Sequence, residues 1–296
     1  MTARRAPLLL APLVALAAWA APAAANTPSD LFYERSLMSA AGARCHLFDT
    51  GVAAALLASS RQAKGAALRA GVDPDVLSAA ESRARNRAAG VPCASPDLAT
   101  AAARVRKGFE GYSQIKTMTF PGDSAAWRAD RGGEKRFPSD WRLSQSAKAA
   151  AGPVVFGVAA APGETEALTA VAGWPGALAA SGARLVMRDR SKASRPYLDP
   201  RRTDLPNRAP PRSVTLSFLA SAREPTAPSL LPTGAYSGAT FRFSPAAAAA
   251  MEELDPREAV VLELVYPARG GGERVETIPI EVGDFAAGRA FLSARR

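Results

Sequence analysis

The sequence predicts an α+β protein: a small helical N-terminal domain held by a disulfide bond, followed by a mainly antiparallel β domain, a sandwich or open barrel, with helical insertions. Three observations predict this class. Helix caps and apolar residues at helical spacing fill residues 26–112, short β-rich runs fill residues 113–296, and two cysteines stand within the helical part. The length of 296 residues fits two modest domains. With 48% hydrophobic and 22% charged residues, the composition argues against a chain that is disordered throughout and against a multi-span membrane protein.

Residues 1–25 have the order of a secretory signal peptide. Arg4 and Arg5 form a basic start, Leu8 to Ala21 is an apolar run, and Ala23 to Ala25 offers a small-residue cleavage site before Asn26. A transmembrane helix needs about 20 apolar residues, so no transmembrane span is predicted. The arginine pair leaves twin-arginine export open, but the residues after it lack the apolar consensus and favour Sec export. Cleavage removes 25 residues and two arginines, which leaves 271 residues, lowers the net charge from +10 to +8 and predicts a periplasmic or secreted protein.

Cys45 and Cys93 are predicted to form a disulfide bond, because two cysteines in an oxidising compartment pair more often than they act as thiolates. The bond would close a loop of 49 residues, which the chain-entropy model values at about 4 kcal/mol of stability. The alternative makes Cys45 a nucleophile and His46 its base. Residues adjacent in sequence rarely reach hydrogen-bond geometry with each other, so the structural bond is favoured.

Four helices are predicted before residue 112, each opened by a capping residue. Thr27, with Asp30 as its capping-box partner, opens the first, and Asp49, Asp73 and Ser95 open the others. The fourth helix carries the clearest apolar stripe, at residues Leu98, Ala102, Val105, Phe109 and Tyr112. We interpret this stripe as packing. The disulfide bond is expected to tie the end of the first helix to the start of the fourth.

Beyond residue 112, short runs rich in β-branched and aromatic residues predict strands. They occupy residues 142–143, 154–159, 168–171, 183–187, 213–219, 239–243, 260–266 and 275–282. The last two flank the glycines at 270–272 and predict a hairpin, and Pro279 is expected at a sheet edge or a bulge. Ser244 and Asp284 are expected to open helices over residues 246–254 and 285–294.

Positive charge is concentrated in one part of the chain. Residues 184–212 hold nine basic and three acidic residues, whereas residues 252–284 hold nine acidic and three basic ones. Residues 189–212, here named the basic segment, contain five prolines and no apolar periodicity. They predict a loop of more than 20 residues, and loops of that length are usually functional or disordered. The candidate anion-binding residues of the basic segment are Arg190, Lys192, Arg195, Arg201, Arg202, Arg208 and Arg212.

The functional interpretation of the basic segment is contact with an anionic partner, because arginine matches phosphate and carboxylate groups. In an exported protein such partners are anionic envelope components, either lipid headgroups or a cell-wall polymer, or another envelope protein. The alternative is a solvated insert that reflects the arginine usage of the whole chain, in which only six of the 37 basic residues are lysine. Nucleic acid is not expected, because the segment has a single aromatic residue, Tyr197, and no recognisable nucleic-acid-binding fold.

Catalytic motifs are scarce in the sequence. It contains no Gly-x-Ser-x-Gly, His-Glu-x-x-His or Gly-x-Gly-x-x-Gly, and one histidine and two cysteines lead us to predict no metal and no cofactor. Gly122-Asp123-Ser124 resembles the first block of GDS-type esterases, which would imply Ser124 as nucleophile. The resemblance covers three residues, Ala125 replaces the usual Leu, and the sole histidine, His46, lies in the helical part. The alternative is a turn before a helix that starts near Ser124.

The sequence therefore favours a non-catalytic binding or envelope-structural protein that contacts anionic partners through the basic segment. The alternative is a cell-envelope hydrolase with a non-standard serine or carboxylate site. Trp127, Trp141 and Trp174 could line a sugar or lipid pocket, but core packing is the favoured interpretation.

Overall fold

The structure, a computed structural model, describes residues 26–132, 140–160, 166–174, 179–199, 204–268 and 270–294. The predicted signal peptide, as well as Arg201 and Arg202 of the basic segment, lies outside the described residues. Four helices come first, as predicted: α1 (Pro28–Cys45), α2 (Thr50–Arg69), α3 (Pro74–Gly90) and α4 (Pro96–Gln114).

The predicted capping residues start these four helices. The Thr27 hydroxyl accepts a hydrogen bond from the Asp30 N–H, and the Asp30 carboxylate accepts one from the Thr27 N–H, which closes the capping box. The carboxylates of Asp49 and Asp73 accept hydrogen bonds from the first turns of α2 and α3. Ser95 occupies the N-cap of α4 without a side-chain hydrogen bond. These caps satisfy N–H groups that a helix leaves without internal partners.

Cys45 and Cys93 form the predicted disulfide bond, with their Cα atoms 5.5 Å apart. The bond joins the end of α1 to the turn before α4. His46 follows at the C-cap of α1 in a left-handed conformation, with φ 52°. Both sulfur atoms are bonded, so the structural interpretation of these cysteines is confirmed and the nucleophile interpretation of Cys45 is wrong.

The described residues beyond α4 form two antiparallel sheets and two further α-helices. The strands are β1 (Thr117–Pro121), β2 (Ala126–Asp130), β3 (Asp140–Ala149), β4 (Gly152–Ala160), β5 (Ala167–Trp174), β6 (Gly182–Arg188), β7 (Thr215–Leu219), β8 (Ala222–Pro225), β9 (Ser237–Phe243), β10 (Ala259–Pro267) and β11 (Glu273–Glu281). The helices are α5 (Pro245–Glu252) and α6 (Phe285–Ser293). One sheet has the order β1-β2-β3-β4-β5-β9-β8 and the other β11-β10-β6-β7. The α+β class with antiparallel sheets is confirmed.

Local expectations for this region are met in part. Pro279 lies on β11, at the edge of the four-stranded sheet, where its missing N–H removes no ladder hydrogen bond from a central strand. The expected helix near Ser124 is wrong: residues 122–125 form the turn between β1 and β2. Three strands, β1, β2 and β8, which have four or five residues each, were not predicted.

Both sheets and α6 share one hydrophobic core. Its largest fully buried side chains include Trp127, Phe120, Phe156 and Phe241 from the seven-stranded sheet, Leu185 and Met187 from the four-stranded sheet, and Phe285 and Phe291 from α6. The Trp127 indole N–H donates a hydrogen bond of 2.8 Å to the Val282 carbonyl oxygen, so core packing is confirmed for this tryptophan. Two sheets around one core correspond to the sandwich alternative.

The helical part packs directly against the β-rich part. Ala58 of α2 belongs to the shared core, and Val52 and Ala55 of α2 meet Phe109 of α4 and Ala294 after α6 in a second buried cluster. We name the line along which α2 faces α6 the seam. Small side chains on α2 let the two helices approach closely.

Candidate functional site

A cleft of about 760 Å³ opens along the seam. One wall consists of residues of α1, α2 and α3, and the other consists of the end of α5, the start of α6 and residues 188–196, which include the start of the basic segment. Sites for small molecules are clefts of about 300 to 1,000 Å³, often between two structural units. The volume of this cleft falls within that range, which makes it the candidate site.

The helical wall of the cleft is a ladder of paired side chains from α1 and α2. The Lys64 ammonium lies 5.7 Å from the centre of the Phe32 ring, and the hydroxyls of Ser36 and Ser60 lie 3.4 Å apart. Each pair is four residues from the next on both helices, so consecutive pairs are separated by about one turn, roughly 5.4 Å. The two serines therefore lie about one helical turn from Lys64 along the same wall.

Hydroxyl groups in this wall have unused hydrogen-bonding capacity. Ser36 and Ser60 are only 8% and 7% exposed, and a single hydrogen bond links their hydroxyls, which leaves one O–H proton without an acceptor in the described residues. The buried Ser39 hydroxyl oxygen, also in the lining, makes no hydrogen bond there either. Buried polar groups usually have a partner, so these hydroxyls mark a polar spot in the cleft that the described chain does not satisfy.

The charged side chains of the lining are matched by opposite charges, with one exception. The matched pairs are Arg61–Glu252 at 3.1 Å, Arg85–Glu81 at 3.1 Å, Arg188–Glu258 at 2.7 Å, Arg69–Asp284 at 2.8 Å, Arg257–Asp255 at 2.9 Å and Arg190–Glu253. Lys64 makes no ion pair with any residue that the structure describes. Glu252 also lies 2.5 Å from Arg289, so two arginines share this carboxylate. Among the charged side chains of the described lining, Lys64 is the one without an ionic partner.

Arg69 of α2 and Asp284 before α6 join the two walls at the seam. The guanidinium donates two hydrogen bonds to the carboxylate, of 2.8 and 2.9 Å, and the two side chains are 12% and 1% exposed. Burial raises the pKa of the Asp284 carboxyl above its usual range, and Glu281 and Asp123 raise it further, whereas Arg69 lowers it. The expectation that Asp284 opens α6 is met in position only, because its carboxylate pairs with Arg69 and makes no cap hydrogen bond.

Glu281, at the end of β11, is fully buried in the turn between β1 and β2. The backbone N–H groups of Asp123, Ser124 and Ala125 donate hydrogen bonds of 2.5, 2.8 and 2.6 Å to its carboxylate, and an Arg208 guanidinium nitrogen lies 3.6 Å from it. Successive N–H groups arranged in this way form an anion-binding nest, which the protein fills with its own carboxylate. Ser124 thus belongs to a structural turn.

Most candidate anion-binding residues of the basic segment are paired within the protein. Arg190 contacts Glu253, Arg195 lies 2.5 Å from Asp75, Arg208 lies 2.8 Å from Asp123, and Lys192 lies 3.6 Å from Asp189. Arg212 is exposed, and short 3-10 turns occupy residues 205–208 and 212–214. The basic segment therefore holds other parts of the fold in place with much of its charge. The neutralising carboxylates come from distant positions, which the local charge count could not include.

The sequence alone did not mark a site at the ladder residues Lys64, Ser36 and Ser60, or at Ser39 on the same wall. A signal was present, since Ser36 and Ser60 stand among alanines at buried helical positions. Which face of α1 meets α2, however, depends on tertiary packing.

In the described ranges, no helix is long and apolar enough to cross a membrane, and no group of three or more His, Cys, Asp or Glu residues is placed to hold a metal ion. Comparison of the chain with protein-family models, curated proteins and solved structures finds no match in any of the three.

Proposed function

We propose that this chain is an exported, non-catalytic binding protein that holds an anionic component of the cell envelope in the cleft at the seam. The observation that carries the proposal is the unmatched charge of Lys64, about one helical turn from the Ser36 and Ser60 hydroxyls. An anionic group placed there would accept hydrogen bonds from the ammonium and from a free hydroxyl proton, and charge-assisted hydrogen bonds of this kind are among the strongest in proteins.

The surroundings of Lys64 support this assignment over a purely structural role. Its ammonium lies 5.7 Å from the centre of the buried Phe32 ring, a cation–π distance that holds the charge along this wall of the cleft without neutralising it. The neighbouring Arg61 is already engaged with Glu252 and with the Ala286 carbonyl oxygen. Lys64 is therefore the cation of α2 in this lining that is available for a bound anion.

Two features support export. The Cys45–Cys93 bond fits a protein that folds in an oxidising compartment, since disulfides are rare in the cytosol. Residues 1–25 have signal-peptide order. The envelope is rich in anionic lipid headgroups and wall polymers, which fits the predicted partners.

The basic segment has a secondary part in this proposal. Arg190 stands in the cleft lining, where Glu253 pairs with it, and the exposed Arg212 adds positive potential outside the cleft. An exposed charge such as that of Arg212 raises the rate at which anions arrive more than the final affinity, and salt screens it.

Binding of defined anions by the exported, full-length protein tests the proposal. The probes are phosphatidylglycerol vesicles, with phosphatidylcholine vesicles as the neutral reference, and glycerol 3-phosphate in solution. Lys64→Gln is compared with Lys107→Gln, which removes an equal charge from an exposed position of α4 outside the lining. We expect at least one anionic probe to bind, about tenfold more weakly to Lys64→Gln and equally to Lys107→Gln. Equal binding by both variants, or no binding of any anion, would refute the proposal.

A further inference from the structure

We infer that the ligand is an anionic amphiphile: an oxyanionic group near Lys64 and the Ser36–Ser60 pair, and a hydrocarbon chain that runs along the groove towards Leu57. This inference rests on the proposed function and specifies the class of ligand.

An unpaired lysine favours an anionic group in the cleft. Each arginine and carboxylate in the described lining has an ionic partner, and two arginines, Arg61 and Arg289, share the carboxylate of Glu252. Lys64 makes no ion pair with a described residue. An oxyanion near Lys64 would pair this charge, and both a carboxylate and a phosphodiester carry oxygens that accept charge-assisted hydrogen bonds from an ammonium.

The hydroxyls of the ladder give the anionic group its further donors. Ser36 and Ser60 are one helical turn, roughly 5.4 Å, from the Phe32–Lys64 pair. The buried hydroxyl of Ser39 lies on the same wall. An oxyanion between Lys64 and the serine pair can accept from both, which satisfies protons that are otherwise unused.

Apolar side chains continue the groove beyond the polar spot. Leu57 lies one turn before Ser60 on the same face of α2 and is 43% exposed, and Ala40 lies one turn after Ser36 on α1 and also lines the cleft. From the Phe32–Lys64 pair to these two residues the groove extends over about two turns, roughly 11 Å. A polar end and an apolar end in one groove match a ligand with a charged head and a hydrocarbon chain.

Titration calorimetry on the exported, full-length protein tests the inference with defined probes. These are decanoate, decanol, acetate, glycerol 3-phosphate and dihexanoyl phosphatidylglycerol, each below the concentration at which it forms micelles. Decanoate and the short phospholipid distinguish a fatty-acid source from a phosphodiester-lipid source of the same chemistry. A series from hexanoate to decanoate on the wild-type protein needs no variant, and we expect about a fourfold gain in affinity per methylene for as long as the chain is buried.

Two pairs of variants separate the head from the chain. Lys64→Gln, against Lys107→Gln, should weaken decanoate about tenfold and leave decanol unchanged. Leu57→Ser should weaken decanoate binding and leave acetate binding unchanged. Its control is Val76→Ser, at an exposed position of α3 outside the lining. Thermal unfolding of each variant shows that it is folded.

The remaining outcomes distinguish the two proposals. If acetate or glycerol 3-phosphate binds as tightly as decanoate and depends on Lys64, the amphiphile inference is wrong and the proposed function stands. If decanol binds as tightly as decanoate and Lys64→Gln has no effect, the cleft is an apolar site and both are wrong. If no probe binds, both are wrong.

Discussion

Replacement of Arg69 by methionine tests whether the seam is held by a buried ion pair. The change leaves the Asp284 carboxylate, only 1% exposed, without the guanidinium that donates both of its side-chain hydrogen bonds at 2.8 and 2.9 Å. Removal of one partner of a buried pair costs about 3 to 5 kcal/mol of unfolding free energy. Urea unfolding at pH 7.5 should therefore show a loss of this size.

The pH dependence of this loss has a definite sign. Burial already raises the pKa of Asp284 in the folded protein, and loss of Arg69 removes the interaction that lowers it, so the pKa rises further in Arg69→Met. A carboxyl with a raised folded-state pKa binds its proton more tightly in the folded state, so the folded state gains stability as the pH falls through that pKa towards 3.8. The difference between wild type and variant should shrink between pH 7.5 and pH 4.5.

Two further variants complete the test of the seam. Arg69→Met with Asp284→Asn should be more stable at pH 7.5 than Arg69→Met alone, because no charge is then buried without a partner. Arg85→Met removes an exposed pair with Glu81 on α3 and should cost no more than about 1 kcal/mol. A loss for Arg69→Met that equals the loss for Arg85→Met, or that stays constant with pH, would refute the reasoning.

Three other predictions concern stability and use the same unfolding assay. Reduction of the disulfide bond should lower the unfolding free energy by about 4 kcal/mol, since the bond closes a long loop; an unchanged value would contradict its structural role. Ser39→Ala should raise the unfolding free energy by about 1 kcal/mol, because it removes a buried hydroxyl without a partner; a lower value would mean that the hydroxyl is satisfied. Gly65→Ala should lower the unfolding free energy by about 1 to 3 kcal/mol, because its Cβ would lie 2.0 Å from the Asp284 carboxylate oxygen. Gly108→Ala on α4, with open space around it, should raise the unfolding free energy by about 1 kcal/mol. A rise for both variants would contradict the position of Asp284 against α2.

Much of the fold could be predicted because its signals are local. Thr27 with Asp30, and Asp49, are caps that act within three residues, so they mark helix starts without any knowledge of the rest of the chain. The Cys45–Cys93 bond followed from there being only two cysteines. The strands β1 and β2 escaped prediction because their pairing depends on a turn closed by Glu281, more than 150 residues away.

The candidate site could be predicted far less well. The charge of the basic segment was visible in the sequence, but Arg195 and Arg208 are neutralised by Asp75 and Asp123, which no local count can reveal. Lys64 did not stand out in the sequence, because it is one lysine in an alanine-rich helix. Lys64 stands out only because the charged side chains around it form ion pairs with one another, and that pairing depends on tertiary structure.

The ratio of the dissociation constants of Lys64→Gln and Lys107→Gln for an anionic amphiphile tests the central claim most directly. Both variants lose one positive charge, and only the first loses it from the cleft. Measured with decanoate and with dihexanoyl phosphatidylglycerol, the ratio should be about ten or more for at least one of them. A ratio near one for both would contradict the assignment of Lys64 as the anion-binding residue.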